Sequence, residues 1–192
     1  MVAGSPADDA ALAESVARAR AGDGDAFGEI YERLSRRVFG LCLHLLASAE
    51  EAEDATSEVF MKLRAAIGRY DVARPFRPWL LSIATKHCLD RLRRRRRERR
   101  LFELEGEAAP GASDTAASPL ATLLAEEDRA SLGVAIAALP EHQRVPLVLR
   151  YHAELRYDEI AERLGWSRER VAVSLFRAKQ ALRRGLARQD PE

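Results

Sequence analysis

Between Arg168 and Arg177 the chain reads Arg-Glu-Arg-Val-Ala-Val-Ser-Leu-Phe-Arg, placing hydrogen-bonding side chains at the start of a periodic apolar segment. Arginine can fork onto guanine O6 and N7, glutamate can accept from cytosine N4, and a helix N-terminus favours phosphate. Arg168, Glu169, Arg170 and Ser174 are therefore candidates for base-edge contacts, with Ala172 and Val173 on the same outward side. Arg177 stands further along, where backbone contacts dominate. A second concentration of cations lies at Arg91, Arg93 to Arg97, Arg99 and Arg100. Arginines at every helical angle cannot all face a core, so most are solvated or lie against an anion. The pairs Cys42 with His44 and His87 with Cys88 sit within one helical turn, but apolar neighbours at helical spacing make both cysteines core residues rather than metal ligands. No Ser/His/Asp arrangement, phosphate-binding glycine loop or inward carboxylate cluster is visible, so no catalytic residue and no cofactor is expected.

These residues need helices to carry them. Ile160, Ala161 and Leu164 face Val171, Leu175 and Ala178 across Gly165-Trp166-Ser167, the spacing of a helix-turn-helix. Gly165 suits the left-handed residue that closes the first helix and Ser167 the N-cap of the second. Upstream, a helix over Glu141–His152 contains Pro146, which removes one hydrogen bond and bends it. The helix before that runs through Leu120, Leu123, Leu124 and Leu132 to Ile136. In the first half, Asp25 is positioned to cap a helix whose stripe includes Phe27, Ile30, Tyr31, Leu34, Val38, Leu41 and Leu45. Ser48, with Glu51 three residues on, starts a helix that buries Ala52, Ala55, Val59, Leu63 and Ile67 and ends at Gly68. A loop from Tyr70 to Pro75 precedes a third stripe from Trp79 to Leu92, and Phe76 and Trp79 anchor the core at its start.

The chain has 192 residues, 47% hydrophobic and only 6% aromatic, and alanine, leucine, arginine and glutamate dominate. Material for sheets is scarce, so the fold class is all-α: two small helical domains joined by a flexible acidic linker. Formal charge is +7 over residues 26–102, −6 over 103–131 and +5 over 139–188, against a net of +1. Two basic blocks tethered by an acidic segment suit two separated sites on one polyanion. A flexible coil over residues 103–119 averages about 20–25 Å between its ends. No apolar run reaches the roughly 18 residues that cross a bilayer, and no signal peptide opens the chain, so a cytoplasmic protein without membrane insertion is expected.

Leu139-Pro140-Glu141-His142-Gln143-Arg144, Leu147 to Tyr151 and Tyr157-Asp158-Glu159-Ile160-Ala161-Glu162-Arg163-Leu164-Gly165 resemble region 4 of bacterial sigma factors. Asp25-Ala26-Phe27, Ala52 to Phe60, Phe76-Arg77-Pro78-Trp79-Leu80, Ile83-Ala84 and Leu89 to Arg94 resemble region 2. Two such regions with only a linker between them resemble the extracytoplasmic-function (ECF) branch of the sigma-70 family. The resemblance implies a non-enzymatic subunit that directs core RNA polymerase to promoters and promotes melting. Its domains would be an N-terminal extension with a first helix (1–21), region 2 (22–102), the linker (103–119) and region 4 (120–188). Asp54, Glu58 and Phe60 would dock on the β′ clamp coiled coil, and the β flap would hold the second half. Arg74, Arg77, Lys86, His87 and Arg91 would hold the −10 element, where a flipped base and exposed strand need cationic and stacking groups. Arg168, Glu169, Arg170, Ser174 and Arg177 would read the −35 element. An anti-sigma factor is the further implied partner. Two other readings compete. A free-standing helix-turn-helix regulator leaves residues 22–100 without work. A recombinase or nuclease needs a nucleophile or metal-binding carboxylates that the first block does not supply.

Overall fold

The computed structural model describes residues 6–105 and 127–186. The described elements are α1 (Pro6–Arg20), α2 (Gly24–Leu46), α3 (Ala49–Ala66), a 3-10 turn (Ile67–Arg69), α4 (Phe76–Glu105), α5 (Glu127–Ala137), α6 (Glu141–Tyr151), α7 (Tyr157–Leu164) and α8 (Arg168–Leu186). No strand occurs among the described residues. The linker reading falls mostly outside them, as do Leu120, Leu123 and Leu124; Glu103 to Glu105 complete α4. Leu132 and Tyr31, each placed in an apolar stripe by its spacing, are exposed.

The first half is a bundle around α2. Its stripe of Ala26, Ile30, Leu34, Val38, Leu41, Cys42 and Leu45 is buried, as are Ala52, Ala55, Val59 and Leu63 on α3. From α4, Leu80, Ala84, Cys88 and Leu92 close the core at four-residue spacing. Burying one such leucine stabilises the fold by about 1.5–3 kcal/mol. Helix α2 starts earlier than its expected cap. Asp23, not Asp25, is the N-cap, its Oδ1 accepting from the amides of Asp25 (2.9 Å) and Ala26 (3.1 Å). Ala47 ends the helix in the left-handed region at φ 57°. Ser48 caps α3 by accepting from the Glu51 amide at 3.3 Å. Helix α1 belongs to this bundle rather than trailing from it, because Leu12, Val16 and Ala19 are buried.

The second half packs α5 to α8 around Ile136, Val145, Val148, Leu149, Ile160, Val171, Leu175 and Ala178, all buried. Gly165 takes φ 65°, and the Trp166 amide reaches back to the Ala161 carbonyl at 2.9 Å, so α7 stops where the sequence indicated. Ser167 Oγ accepts from the Arg170 amide at 3.2 Å and starts α8. Pro146 cannot donate to the His142 carbonyl one turn back. That carbonyl accepts instead from the Ser174 hydroxyl, which lies on the inner face of α8. A serine in one helix thus satisfies the backbone group that a proline in another leaves without its helical donor.

The halves meet along α2. Arg144 is buried, with Nη1 donating to the Leu139 carbonyl (3.1 Å) and Nη2 to the Leu45 carbonyl (3.5 Å). The rings of His44 and His152 lie 4.6 Å apart at the same seam. Burial pushes both histidines down in pKa, His152 to about 4, where the neighbouring His44 adds to the effect. Arg37 pairs with Glu154 at 3.8 Å.

Candidate nucleic-acid interface

Helix α8 turns Val171, Leu175 and Ala178 inward, which sends Glu169, Val173, Phe176 and Arg177 outward. Arg168 and Arg170 are exposed as well. Arg168 Nη1 lies 3.5 Å from Asp158 Oδ1, and the Arg170 guanidinium stacks 4.2 Å above the Trp166 ring, which fixes its direction at the helix start. Glu169 folds back on the helix N-terminus: its own amide and the Ser167 hydroxyl hold its carboxyl below the usual range. Ser174 departs from its expected place. It is only 6% exposed and its hydroxyl is committed to His142, so it supports the helix rather than facing a groove. Phe176 was not singled out from sequence, yet it is 62% exposed on the outward face. The signal was available: once the inner stripe takes Val171, Leu175 and Ala178, residue 176 can only point away. Apolar groups at that position can touch thymine methyls.

The −10 candidates divide into open and occupied groups. Arg74 sits in the loop before α4, its carbonyl accepting from the Tyr70 hydroxyl and its side chain 3.6 Å from Asp71. Lys86 is exposed on α4. Ser82, Lys86, Leu89, Arg93 and Arg163 line a cleft of about 340 Å³ between α4 and α7. Arg77 is tied to Asp8 and, through Nε at 3.1 Å, to Asp9 of α1. The Arg77 hydrogen bond is the main reason the Asp8 carboxyl is held low. His87 is buried, with Nδ1 2.5 Å from Lys62 Nζ and Nε2 3.3 Å from Glu58 Oε2. Burial, reinforced by Lys62, depresses its pKa. Arg91 donates to Glu58 Oε1 (2.7 Å) and to the Glu51 carbonyl (3.2 Å). Arg77, His87 and Arg91 are thus engaged within the fold, whereas Arg74 and Lys86 present charge to solvent. Phe76 and Trp79 pack with Tyr70 in an aromatic cluster, as their place on the stripe indicated.

On α3, Asp54 is exposed and Glu58 half-exposed, the latter held low in pKa chiefly by Arg91. Phe60 differs from expectation. It is 4% exposed and makes edge contacts with Tyr31 (4.7 Å) and Phe27 (6.5 Å), so it fixes α3 on α2 instead of meeting a partner. Its exposed neighbours are Met61 and Tyr31. The helix therefore presents acidic side chains beside a small apolar patch. Cys42 and Cys88 are both buried, with sulfurs 3.5 Å apart.

Residues 30–98 match the family model for Sigma-70 region 2, and residues 129–182 that for Sigma-70 region 4. The chain is 30% identical over 183 residues to the ECF RNA polymerase sigma factor SigW of Bacillus subtilis (strain 168), covering 91% of this chain and 96% of that protein. Over 181 residues it is 31% identical to the ECF RNA polymerase sigma factor BldN of Streptomyces coelicolor, covering 92% of this chain and 66% of that one. Its fold is similar to that of the sigma factor RpoE solved with the anti-sigma factor NepR from Bartonella quintana, with TM-score 0.58 and 19% identity over 84% of this chain and 96% of that one. It is also similar to CnrH solved with the cytosolic domain of CnrY, with TM-score 0.53 and 24% identity over 94% and 99% of the two chains.

Proposed function

The chain belongs to the ECF branch of the sigma-70 family and is a sigma factor for transcription initiation, and from that premise we propose how its surfaces divide the work. Residues 22–102 act as region 2 and 120–188 as region 4, with 1–21 contributing a helix to the first bundle. Asp54 and Glu58 on α3 meet the basic β′ clamp coiled coil, with Met61 and Tyr31 adding apolar contact, and the second half engages the β flap. Arg74 and Lys86 hold the −10 strand. Binding the flipped base and the open strand offsets the few kcal/mol per step lost on unstacking, so melting needs no chemical fuel. Arg77, His87 and Arg91 act behind them by fixing α4 against α1 and α3.

The −35 element is read by Arg168, Glu169, Arg170 and Arg177, joined by Val173 and Phe176. The single observation that carries this reading is the outward face of α8, where cationic, carboxylate and apolar side chains share one strip behind a capped turn. Such a mixture matches the donor, acceptor and methyl pattern of a major groove. The protein acts in the cytoplasm, without catalysing a reaction of its own. Because RpoE and CnrH were solved with NepR and with the cytosolic domain of CnrY, an anti-sigma factor is the regulator we assign to this chain.

Pull-down with purified core polymerase followed by runoff transcription on a promoter library tests the reading. We expect binding to core and transcripts from a defined promoter class. Tight binding of duplex promoter by the isolated chain, with no affinity for polymerase, would replace it with a free-standing regulator.

A further inference from the structure

Cys42 on α2 and Cys88 on α4 stand 46 residues apart in sequence, and both are fully buried. Their sulfurs are in contact at 3.5 Å, with the Cys88 S–H donating to Cys42 Sγ. Packing accounts for two buried thiols on two apolar stripes, but it does not require that they meet head to head. A disulfide holds its sulfurs at about 2.05 Å, so the pair lacks only about 1.5 Å of approach between two packed helices. The two thiols are not equivalent. Their shared hydrogen bond, against the opposing effect of burial, lowers the pKa of Cys42, and the Thr56 hydroxyl and the Arg91 charge act in the same direction. The same hydrogen bond, together with burial, pushes Cys88 up. Cys42 is therefore the nucleophile of the pair, and Cys88 the thiol that follows it.

We propose that Cys42 and Cys88 form a modification site, closed to an intramolecular disulfide by a small hydroperoxide and reopened by a dithiol. The Cys42 thiolate attacks one peroxide oxygen, the O–O bond breaks, and the departing hydroxide takes up the proton that Cys42 released, leaving a sulfenic acid. The Cys88 sulfur then attacks the Cys42 sulfur, and the S–O bond breaks as hydroxyl leaves with the Cys88 proton as water. Two thiols thus give up two electrons, and hydrogen peroxide is reduced to two waters. A small uncharged oxidant suits a pair without solvent exposure, because local opening of the bundle admits it more readily than a bulky or charged one. One consequence rests on the reading that Lys86 holds the −10 strand. Cys88 lies two residues after Lys86, next to His87 and three before Arg91. His87 Nε2 and Arg91 Nη2 hold Glu58 of α3 at 3.3 Å and 2.7 Å. Closing the bond draws this stretch of α4 toward α2 while Glu58 stays with α3, and hydrogen bonds do not stretch by about 1.5 Å. Oxidation therefore displaces Lys86 and weakens its grip on the strand, while the outer face of α3 keeps its place.

The test treats the full chain, freed of reductant, with hydrogen peroxide and removes the peroxide before any partner is added. Peptide mass spectrometry without reduction should find Cys42 and Cys88 joined within one chain, two hydrogens lighter, and dithiothreitol should restore both thiols. A bond between two chains, a Cys42 sulfinic acid in place of the bond, or thiols that oxidise only in urea would each overturn the proposal. Cys88→Ala, its fold checked by its urea midpoint, should stop at a Cys42 sulfenic acid that dimedone traps; the wild-type mass result decides even where that variant does not fold. Oxidised chain is then assembled with untreated core polymerase. Its affinity for a single-stranded −10 oligonucleotide should fall severalfold and return when the chain is reduced before assembly, with core capture unchanged. A chain carrying Cys42→Ala and Cys88→Ala should not respond to peroxide. Undiminished oligonucleotide binding refutes the consequence, and so does a loss of core capture, which would place the effect on α3. Reduced wild-type holoenzyme that ignores the oligonucleotide would remove the −10 reading and the consequence with it, whereas the bond itself stands or falls on the mass measurement.

Discussion

Removing the Ser174 hydroxyl leaves the His142 carbonyl facing a proline ring on one side and an alanine methyl on the other. A buried acceptor that loses its donor costs about 1–3 kcal/mol; the Ser174 hydroxyl is buried but His142 is exposed, so the lower end of that range applies. Pro146→Ala supplies an N–H one turn along from His142, so the carbonyl regains a donor within α6. The two residues are therefore coupled: Ser174→Ala should be costly beside Pro146 and cost only a few tenths of a kcal/mol beside Ala. We expect a coupling energy of about 1 kcal/mol or more, outside the roughly 0.3–0.5 kcal/mol scatter of independent sites. Urea unfolding of wild type, both single variants and the double variant measures it, with a constant m-value as the check on comparable unfolding. Runoff transcription at a temperature where all four are folded gives the second readout, and Ser174→Ala should leave promoter choice unchanged. Equal cost in both backgrounds, or altered choice of the −35 sequence by folded Ser174→Ala protein, would refute the reasoning.

The His152 pKa lies at about 4, below its ordinary 6.5, so the folded state excludes a proton that the unfolded chain binds. Stability should fall as pH drops from about 6.5 towards 4, by up to about 1.4 kcal/mol per pH unit, with His44 and His87 adding the same sign; His152→Gln should flatten the slope in urea midpoints between about pH 7 and pH 5. Asp54→Lys, at an exposed position, should leave the unfolding midpoint within about 0.5 kcal/mol while reducing core polymerase capture at least tenfold; unaffected capture would remove α3 from the docking surface. Phe176→Ala should weaken holoenzyme on the intact promoter by about 1–2 kcal/mol, and replacing thymine with deoxyuridine in the −35 element should cost less in that variant than in wild type; additive losses would take Phe176 out of the groove.

Periodicity located most helices because their stripes are regular: Leu80, Ala84, Cys88 and Leu92 repeat every four residues, and Gly165 and Ser167 punctuate the turn before α8. What escaped the sequence came from competition between chemically equivalent groups. Asp23 and Asp25 are both competent caps, and only the backbone path chooses Asp23. Ser174 looks polar and therefore outward, but its partner is a carbonyl orphaned by Pro146, 28 residues earlier. Arg77 reads as a free cation until α1 folds over it with Asp8 and Asp9. Phe60 lies next to acidic residues in sequence, yet its ring belongs to the contact between α2 and α3. Apart from Phe176, the open side chains of the interface were legible, and the engaged ones were not, because their partners lie on other helices.

From Trp79 to Glu105, α4 contains neither glycine nor proline. A rod of that kind has no joint, so whatever seats one end sets the azimuth of the other. Inserting or deleting a single residue between Leu92 and Arg97 would swing everything beyond it by about 100°, carrying the cations to the far side of the cylinder. Descendants of this gene should therefore tolerate exchange of one arginine for lysine here far more readily than any change in length.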